Sequence, residues 1–328
     1  MSPIMYVLMS LPLMQLNVES NIQASSDVRQ LYENFKRKYN KYFENDEDQR
    51  RLEIFKENLE QAKIYQQTDL GTAKYGVTKF FDLTDEEFEA QYLTAKFPEI
   101  IEPTEEIRMN WTKELPPYFD WREKGAVSPV VNQGRCGCCW SFSAVQNIEG
   151  QWFLRYGRLF RLSAQQLIDC DYVDRGCGGG FPIDAYMAVQ RLGGLQLSID
   201  YPYIASRRAC KFNPRQVVAF VNGFAVLPRN EQQIAEYLYR NGPLSVGLNA
   251  HTLKYYNSGI IDLTAKQCNP KALNHAALSV GFGIDESTSF WIIKNTFGKD
   301  WGEQGYFRIF RGNDTCGISR VVSSSKVV

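Results

Sequence analysis

All eight cysteines of this 328-residue chain lie beyond position 135, and three of them fall within four positions, in Gln133-Gly134-Arg135-Cys136-Gly137-Cys138-Cys139-Trp140. No other feature constrains the fold as much. Eight cysteines confined to one part of a chain read as a disulfide framework formed in an oxidising compartment. The charge divides near the same place. Residues 1–114 carry 14 Lys+Arg against 21 Asp+Glu, a net of −7, whereas residues 115–328 carry 23 against 16, a net of +7. An acidic segment without cysteines beside a basic, cysteine-bearing one predicts that the first covers the second. The chain as a whole is neutral, and nothing in it points to nucleic acid.

Hydrophobic spacing organises the rest. Val28, Leu31, Tyr32, Phe35, Tyr39 and Phe43 recur at helical spacing over 27–43, a second helix is expected over 47–67, and the stretch Tyr75 to Thr84 alternates like a strand. Thr84-Asp85-Glu86-Glu87 is a capping-box pattern that opens a short helix. From Thr94 to Pro117 the periodicity stops and four prolines appear, which predicts an extended linker. Beyond it come a helix from Cys139 to about Gly157, one opening at Ser163 and one opening at Pro182; after Val217 strands dominate, with one helix over 231–240. The first 20 residues hold an apolar run too short to span a bilayer, without a basic start or a clear cleavage site; together with the cysteines they make a candidate signal peptide. Asn110 and Asn313 open glycosylation sequons.

The cysteine cluster admits three chemistries. Zinc wants ligand pairs converging on four donors, but here the spacing is Cys-x-Cys-Cys and the chain has only two histidines, His251 and His275; no metal and no cofactor are expected. A nucleophilic thiolate needs a base, an orienter for that base, an oxyanion hole and, often, a helix N-terminus. Cys139 stands where the helix dipole favours negative charge. Cys136 lies a turn too early, and position alone does not exclude Cys138.

The blocks Gln133–Ser143, Leu273–Gly283 and Trp291–Ile309 resemble the Cys, His and Asn blocks of papain-like cysteine peptidases, and the likeness runs from about residue 27 to the C-terminus. It implies an α+β, two-domain fold, with a helical half (115–216) and a β-rich half (217–328) facing each other across a cleft. The implied roles are Cys139 as nucleophile, His275 as its ion-pair partner and general acid, Asn295 as the orienter of the imidazole, and Gln133 as oxyanion donor beside the Cys139 N–H. It also implies the disulfides Cys136–Cys177, Cys170–Cys210 and Cys268–Cys316, which leave Cys138 and Cys139 as thiols. The family has a small residue such as Ser before its nucleophile, so Cys138 is a departure. Either it replaces a hydroxyl, or it makes the site oxidation-sensitive. Phe297 stands where Trp usually shields the His–Asn hydrogen bond, and Gly178 where Asn is common.

Residues Glu47, Arg51, Phe55, Asn58, Ala62 and Gln66 lie along one helix face and spell the propeptide motif of the cathepsin F-like branch of that family. Gly76, Thr78, Phe80 and Asp82 fit its companion motif, with Thr78 where Asn is often found. The resemblance therefore implies an inhibitory propeptide over 21–114, released in acid as its carboxylates protonate, and a mature peptidase over 115–328. Gly179 and Gly180 would hydrogen-bond an extended peptide. Phe181, Pro182, Gly247, Leu273 and Val321 would line the pocket for the second residue before the cleaved bond, favouring Leu, Phe or Val. The implied partners are protein and peptide substrates, the chain's own propeptide and cystatin-type inhibitors, with no stable membrane anchor, a monomeric state and a secreted or lysosomal setting. Two rivals belong to other classes: a catalytically impaired homologue that acts as a binding protein, and a redox or metal-binding protein built on the cysteine cluster.

Overall fold

A computed structural model describes residues 27–98, 102–103 and 114–328. The candidate signal peptide, Asn110 and most of the proline-bearing linker lie outside the described residues. Asn313 is exposed.

The N-terminal segment begins with helices α1 (27–38) and α2 (Asn45–Thr68). The first stops short of the expected 43 because Asn40 turns into the left-handed region at φ 50°. Phe55 of α2 is fully buried against Tyr32 and Phe35 of α1 and against Phe81, with ring centroids 5.5, 5.2 and 5.7 Å away. The polar residues on the same face of α2 fasten the stretch from Ala73 to Glu87. Arg51 binds Glu47, Glu87 and the Asp82 carbonyl, Asn58 donates to the carbonyls of Phe81 and Leu83 at 2.9 Å each, and Gln66 donates to the Ala73 carbonyl. The expected strand over 75–84 shrinks to β1 (Lys74–Tyr75). Turns closed by Phe81 N–H to Thr78 and Leu83 N–H to Phe80 replace the remainder. Thr78 and Phe80 through Leu83 are all buried, an arrangement that a strand with one wet face does not allow. Helix α3 (Asp85–Tyr92) opens on a complete capping box at Thr84.

Beyond the linker, β2 (Phe119–Asp120) precedes the helical half: α4 (Cys139–Tyr156), α5 (Ala164–Cys170) and α6 (Pro182–Leu192). The strands β3 (Leu195–Gln196) and β4 (Val217–Ala219) pair at its edge. The β-rich half continues with β5 (Val221–Val226), α7 (Glu231–Asn241), β6 (Leu244–Leu248), β7 (Tyr256–Ser258), β8 (Ile260–Ile261), β9 (His275–Asp285), β10 (Thr288–Lys294), β11 (Tyr306–Phe310) and β12 (Val322–Val327). Its sheet runs β5-β12-β6-β9-β10-β11-β8, with β2 added on β9; β8 and β11 are parallel and the other pairs antiparallel.

Helix α4 joins the halves because it has two different faces. Val145, Ile148 and Trp152 enter the helical core with Leu167, Ile168 and Tyr186. The opposite face is polar and docks on the sheet: Ser143 donates to the Ala277 carbonyl at 2.7 Å, and Asn147 both donates to the Pro243 carbonyl and accepts from Ser325 N–H. Glu149 is buried with Lys294, and Ser128 hydrogen-bonds both. Disulfides join Cys136 to Cys177, Cys170 to Cys210 and Cys268 to Cys316.

The N-terminal segment seats on the β-rich half through backbone pairing. Strand β1 pairs with β7, and Leu70 and Thr72 donate N–H groups to Asp262 and Ile260. Removing the Phe55 ring leaves a cavity under both helices. Phe55→Ala should cost about 3–5 kcal/mol of this segment's folding. Limited proteolysis at neutral pH should then cut 27–98 much earlier than in the wild-type chain; equal resistance would contradict this packing.

Candidate active site

Cys139 is the first residue of α4 and is fully buried. Its sulfur faces the backbone N–H groups of Ala276, Trp140, Ala95 and Thr94. Across the cleft, His275 opens β9 and Asn295 directly follows β10, so the antiparallel pairing of these strands puts the two side chains together. His275 Nε2 lies 2.8 Å from Asn295 Oδ1, which also accepts Thr296 N–H at 2.8 Å. An acceptor that is a carbonyl oxygen makes Nε2 the protonated nitrogen; Nδ1 has no hydrogen-bond partner among the described residues. Gln133 is likewise fully buried. Its Oε1 accepts from the Thr296 hydroxyl, which points its Nε2 at the carbonyls of Cys136 (3.1 Å) and Tyr92 (3.3 Å).

Residues 92–97 of the N-terminal segment fill the space between these groups. Ala95 packs on Cys139 and Ala276. Ala95 N–H donates to the Asn274 carbonyl at 3.1 Å, and Lys96 N–H donates to the Gly180 carbonyl at 2.9 Å. Thr94 Oγ1 donates to the Gly137 carbonyl, and a Cβ on Gly179 (φ 104°) would meet the Thr94 carbonyl oxygen at 1.9 Å, so only glycine allows this approach. The Phe97 ring enters an apolar pocket walled by Phe181, Ile183, Val226, Val321 and Leu273. A Cβ on Gly247 would meet that ring at 2.6 Å. Pro182 is buried as the first residue of α6.

Burial decides the protonation of the pair. It pushes the Cys139 thiol up to about 11, against the pull of the surrounding N–H groups. It drives the His275 imidazole down to about 4, although Asn295 and the Tyr92 backbone pull it upward. Under residues 92–97 both groups are therefore neutral at neutral pH. Phe297 lies against the imidazole with ring centroids 5.1 Å apart, and Phe80 and Tyr92 close over Phe297 at 5.2 and 5.7 Å. The smaller aromatic ring is thus completed by the N-terminal segment.

The Cys138 sulfur is turned into the helical half, 3.1 Å from the Tyr203 hydroxyl, which in turn donates to the Gln133 carbonyl. This makes the thiol a donor, the part a serine hydroxyl could play, and burial holds it well above its ordinary range. The sequence does not single out Tyr203, Thr296, Ile183 or Val226. Thr296 adjoins Asn295 and Ile183 adjoins Pro182, but Tyr203 and Val226 join the site only through tertiary packing. His251, which has no role assigned from sequence, lies 3.4 Å from Asp85 and 3.3 Å from Glu89 of α3.

Two family models account for most of the chain. Residues 115–326 match the papain family cysteine protease model, and residues 32–88 match the cathepsin propeptide inhibitor domain (I29). Mouse cathepsin F is 42% identical over 90% of this chain, which spans 64% of that protein's length. Mouse cathepsin W is 38% identical over 92% of this chain and 87% of its own length. Among solved structures, procathepsin L2 from the larval midgut of Tenebrio molitor superposes with a TM-score of 0.83 at 34% identity, covering 91% of this chain and 99% of that one. The stem bromelain precursor superposes with a TM-score of 0.80 at 31% identity, covering 92% and 99%.

A neutral, covered thiol should be unreactive. In the full chain at pH 7, iodoacetamide should label neither Cys138 nor Cys139; once residues up to about 114 are removed, Cys139 should label rapidly and Cys138 should not. Labelling of Cys138 before Cys139, read by peptide mass mapping, would contradict the geometry.

Proposed function

The chain belongs to the papain family of cysteine proteases and carries that family's propeptide inhibitor domain; from this premise we propose that it is the zymogen of a cysteine endopeptidase, active through Cys139, His275, Asn295 and Gln133. The observation that carries the reading is the convergence of the buried Cys139, the His275–Asn295 pair and the Gln133 amide under one strand of the chain's own N-terminal segment. Once 92–97 leave, water returns to the cleft and the helix N-terminus with its N–H groups favours a thiolate, paired with an imidazolium. The thiolate attacks the peptide carbonyl carbon. Gln133 Nε2–H and the Cys139 N–H stabilise the oxyanion, a contribution of roughly 3 kcal/mol per donor in comparable hydrolases. His275 gives its proton to the leaving amine, and water then hydrolyses the thioester, restoring the thiol. Asn295 keeps Nε2 occupied so that Nδ1 serves the sulfur.

The domain division accords with the same reading: propeptide over 21–114, mature peptidase over 115–328, with cleavage within 100–116. The mature peptidase is a monomer open to cystatin-type inhibitors, and a secreted or lysosomal setting fits its three disulfides. No helix among the described residues is long and apolar enough to cross a membrane.

Acid activation has two separable sources. The catalytic pair is not one of them: on uncovering, Cys139 gives up the proton that His275 gains, so the number of protons bound by the pair changes little between about 4 and 6.5. The stability of the covered state is therefore insensitive to this pair over that range. Asp85 is one source. Burial alone would raise its carboxyl, but the Lys254 ammonium, 2.8 Å away, holds it below the usual range, so its contribution is lost only below about 3.8. The −7/+7 charge division adds a long-range attraction, although one close cross-segment pair, Lys79–Asp300, has the opposite polarity. Processing should therefore stay slow down to about pH 4 and accelerate below it, as carboxylates such as Asp85 protonate. A rate that already climbs steadily between pH 6.5 and 5 would show that other groups trigger release. High salt at neutral pH should speed release if long-range attraction matters; an unchanged rate removes that contribution.

Phe97 in its pocket stands where the second substrate residue would sit, so Leu, Phe and Val are the expected preferences. After acid processing, a fluorogenic peptide with Leu or Phe at that position should be hydrolysed, and an epoxide inhibitor of papain-like enzymes should label Cys139. No hydrolysis after complete loss of the propeptide would overturn the proposal. Gly247→Ala should lower kcat/KM for Phe about tenfold more than for Val, because the added methyl group narrows the pocket. Equal losses for both would contradict the pocket assignment.

A further inference from the structure

Behind the loop segment that grips residues 96 and 97 lies a pair of carboxyl groups that the catalytic steps do not use. Asp174 Oδ1 accepts Phe181 N–H at 3.1 Å. Its carboxyl also lies directly under Gly180: a Cβ there would meet Asp174 Cγ at 2.5 Å and the Trp140 ring at 2.6 Å. Gly180 is the residue whose carbonyl receives Lys96 N–H, and the Phe181 ring meets the Phe97 ring at a centroid distance of 5.7 Å. Asp174, itself 8% exposed, thus braces the two residues that hold the extended chain in the cleft.

On its other side the Asp174 carboxyl faces that of Asp171, which is 1% exposed. Neither Oδ2 atom has a hydrogen-bond partner among the described residues. Ionised carboxylates only accept and repel one another, so a proton on one would relieve the repulsion and give both unpartnered oxygens a hydrogen bond. The surrounding charges do not remove that repulsion. Asp184 on α6 adds a third acid. Arg191 reaches Asp171 Oδ1 at 3.5 Å from an exposed position, while Arg207 donates to the Asp171 main-chain carbonyl instead of its carboxyl. Lys96 and Arg175 line the outer surface of the same pocket as Asp174 and Asp184.

We propose that Asp174, through the proton it shares with Asp171, is a positioning residue for substrate: it holds Gly180 and Phe181 in the peptide-gripping conformation, and the grip loosens when the pair loses that proton. The proposal rests on the peptidase reading of the cleft. Burial first, and then the charge of Asp171, pushes Asp174 up to about 8. Its protonated form belongs to the braced arrangement, so its contribution to the brace is complete below about 4 and is lost progressively as pH rises through about 8. Asp174 touches none of the reacting atoms, so its loss should appear in KM with kcat little changed.

The test compares wild type, Asp174→Asn and Asp174→Ala, each made as the full chain and processed in acid, on a peptide with Leu at the second position. The asparagine keeps an oxygen for Phe181 N–H and supplies an N–H in place of the shared proton. Losing one buried hydrogen bond predicts that wild-type KM rises about tenfold between pH 6.5 and 9, that Asp174→Asn stays flat, and that Asp174→Ala starts about tenfold higher at pH 6.5. An Asp174→Asn profile that tracks wild type, or an alanine variant with wild-type KM, would overturn the proposal. If the alanine variant does not fold, hydrogen exchange of the Phe181 amide in the unprocessed chains decides. At pH 9 it should be faster in wild type than in Asp174→Asn, and equal rates would count as failure. That measurement needs no hydrolysis, so an inactive wild type would sink the peptidase reading while leaving the brace decided.

Discussion

A thiol and an imidazole become an ion pair only where their charges are solvated or met by dipoles, and residues 92–97 remove the solvent from both at once. Ala95 on Cys139, the Tyr92 carbonyl on the Gln133 amide and the aromatic group Phe80, Tyr92 and Phe297 over His275 are parts of one desolvated contact. The remaining architecture serves to keep that contact in place. The aromatic junction of α1 with α2, the Asn58 and Arg51 hydrogen bonds to the turn region and the β1–β7 pairing carry the segment to the cleft at a fixed height. Inhibition is therefore electrostatic as well as steric: the covering strand holds the proposed nucleophile in its protonated, unreactive form.

The cleft itself depends on α4. A helix with an apolar face for one half and a polar face for the other can end where both halves meet, and its first residue then has backbone donors from the helix, from β9 and from the covering strand around it. The buried Glu149, Ser128 and Lys294 group continues the polar seam, with the lysine one residue before Asn295. A buried charge left without its partner is costly, so this seam ties the orientation of Asn295 to the docking of α4.

Much of this is legible in the chain because local rules and tertiary structure agree there. Cys139 at a helix start, the capping box at Thr84 and the spacing from Glu47 to Gln66 derive from periodicity and capping chemistry. Two elements depart from their local pattern for definable reasons. The alternation from Tyr75 to Thr84 mimics a strand, but both of its faces are buried by α2, α3 and the β-rich half, so turns win. The first helix ends early because Asn40 accepts a left-handed conformation. The contributions of Tyr203, Val226 and Asp174 have no local signal: each gains its place only when distant segments pack. Cys138 illustrates the same limit. Its position beside the proposed nucleophile leaves a redox role open, and only its contact with Tyr203 shows the thiol engaged elsewhere.

The most direct test of desolvation by residues 92–97 is the titration of His275. The chain has only two histidines, so carbon NMR of labelled imidazoles resolves them, with His251→Gln giving the assignment and Cys139→Ala keeping the chain intact. A covered imidazole should give a His275 midpoint near 4 in the full-length chain. After the propeptide is cut and removed, the midpoint should return to about 6.5 or above. A midpoint near 6.5 in the covered chain, unchanged by removal of the propeptide, would show that residues 92–97 do not desolvate the pair and would contradict this mode of inhibition at its centre.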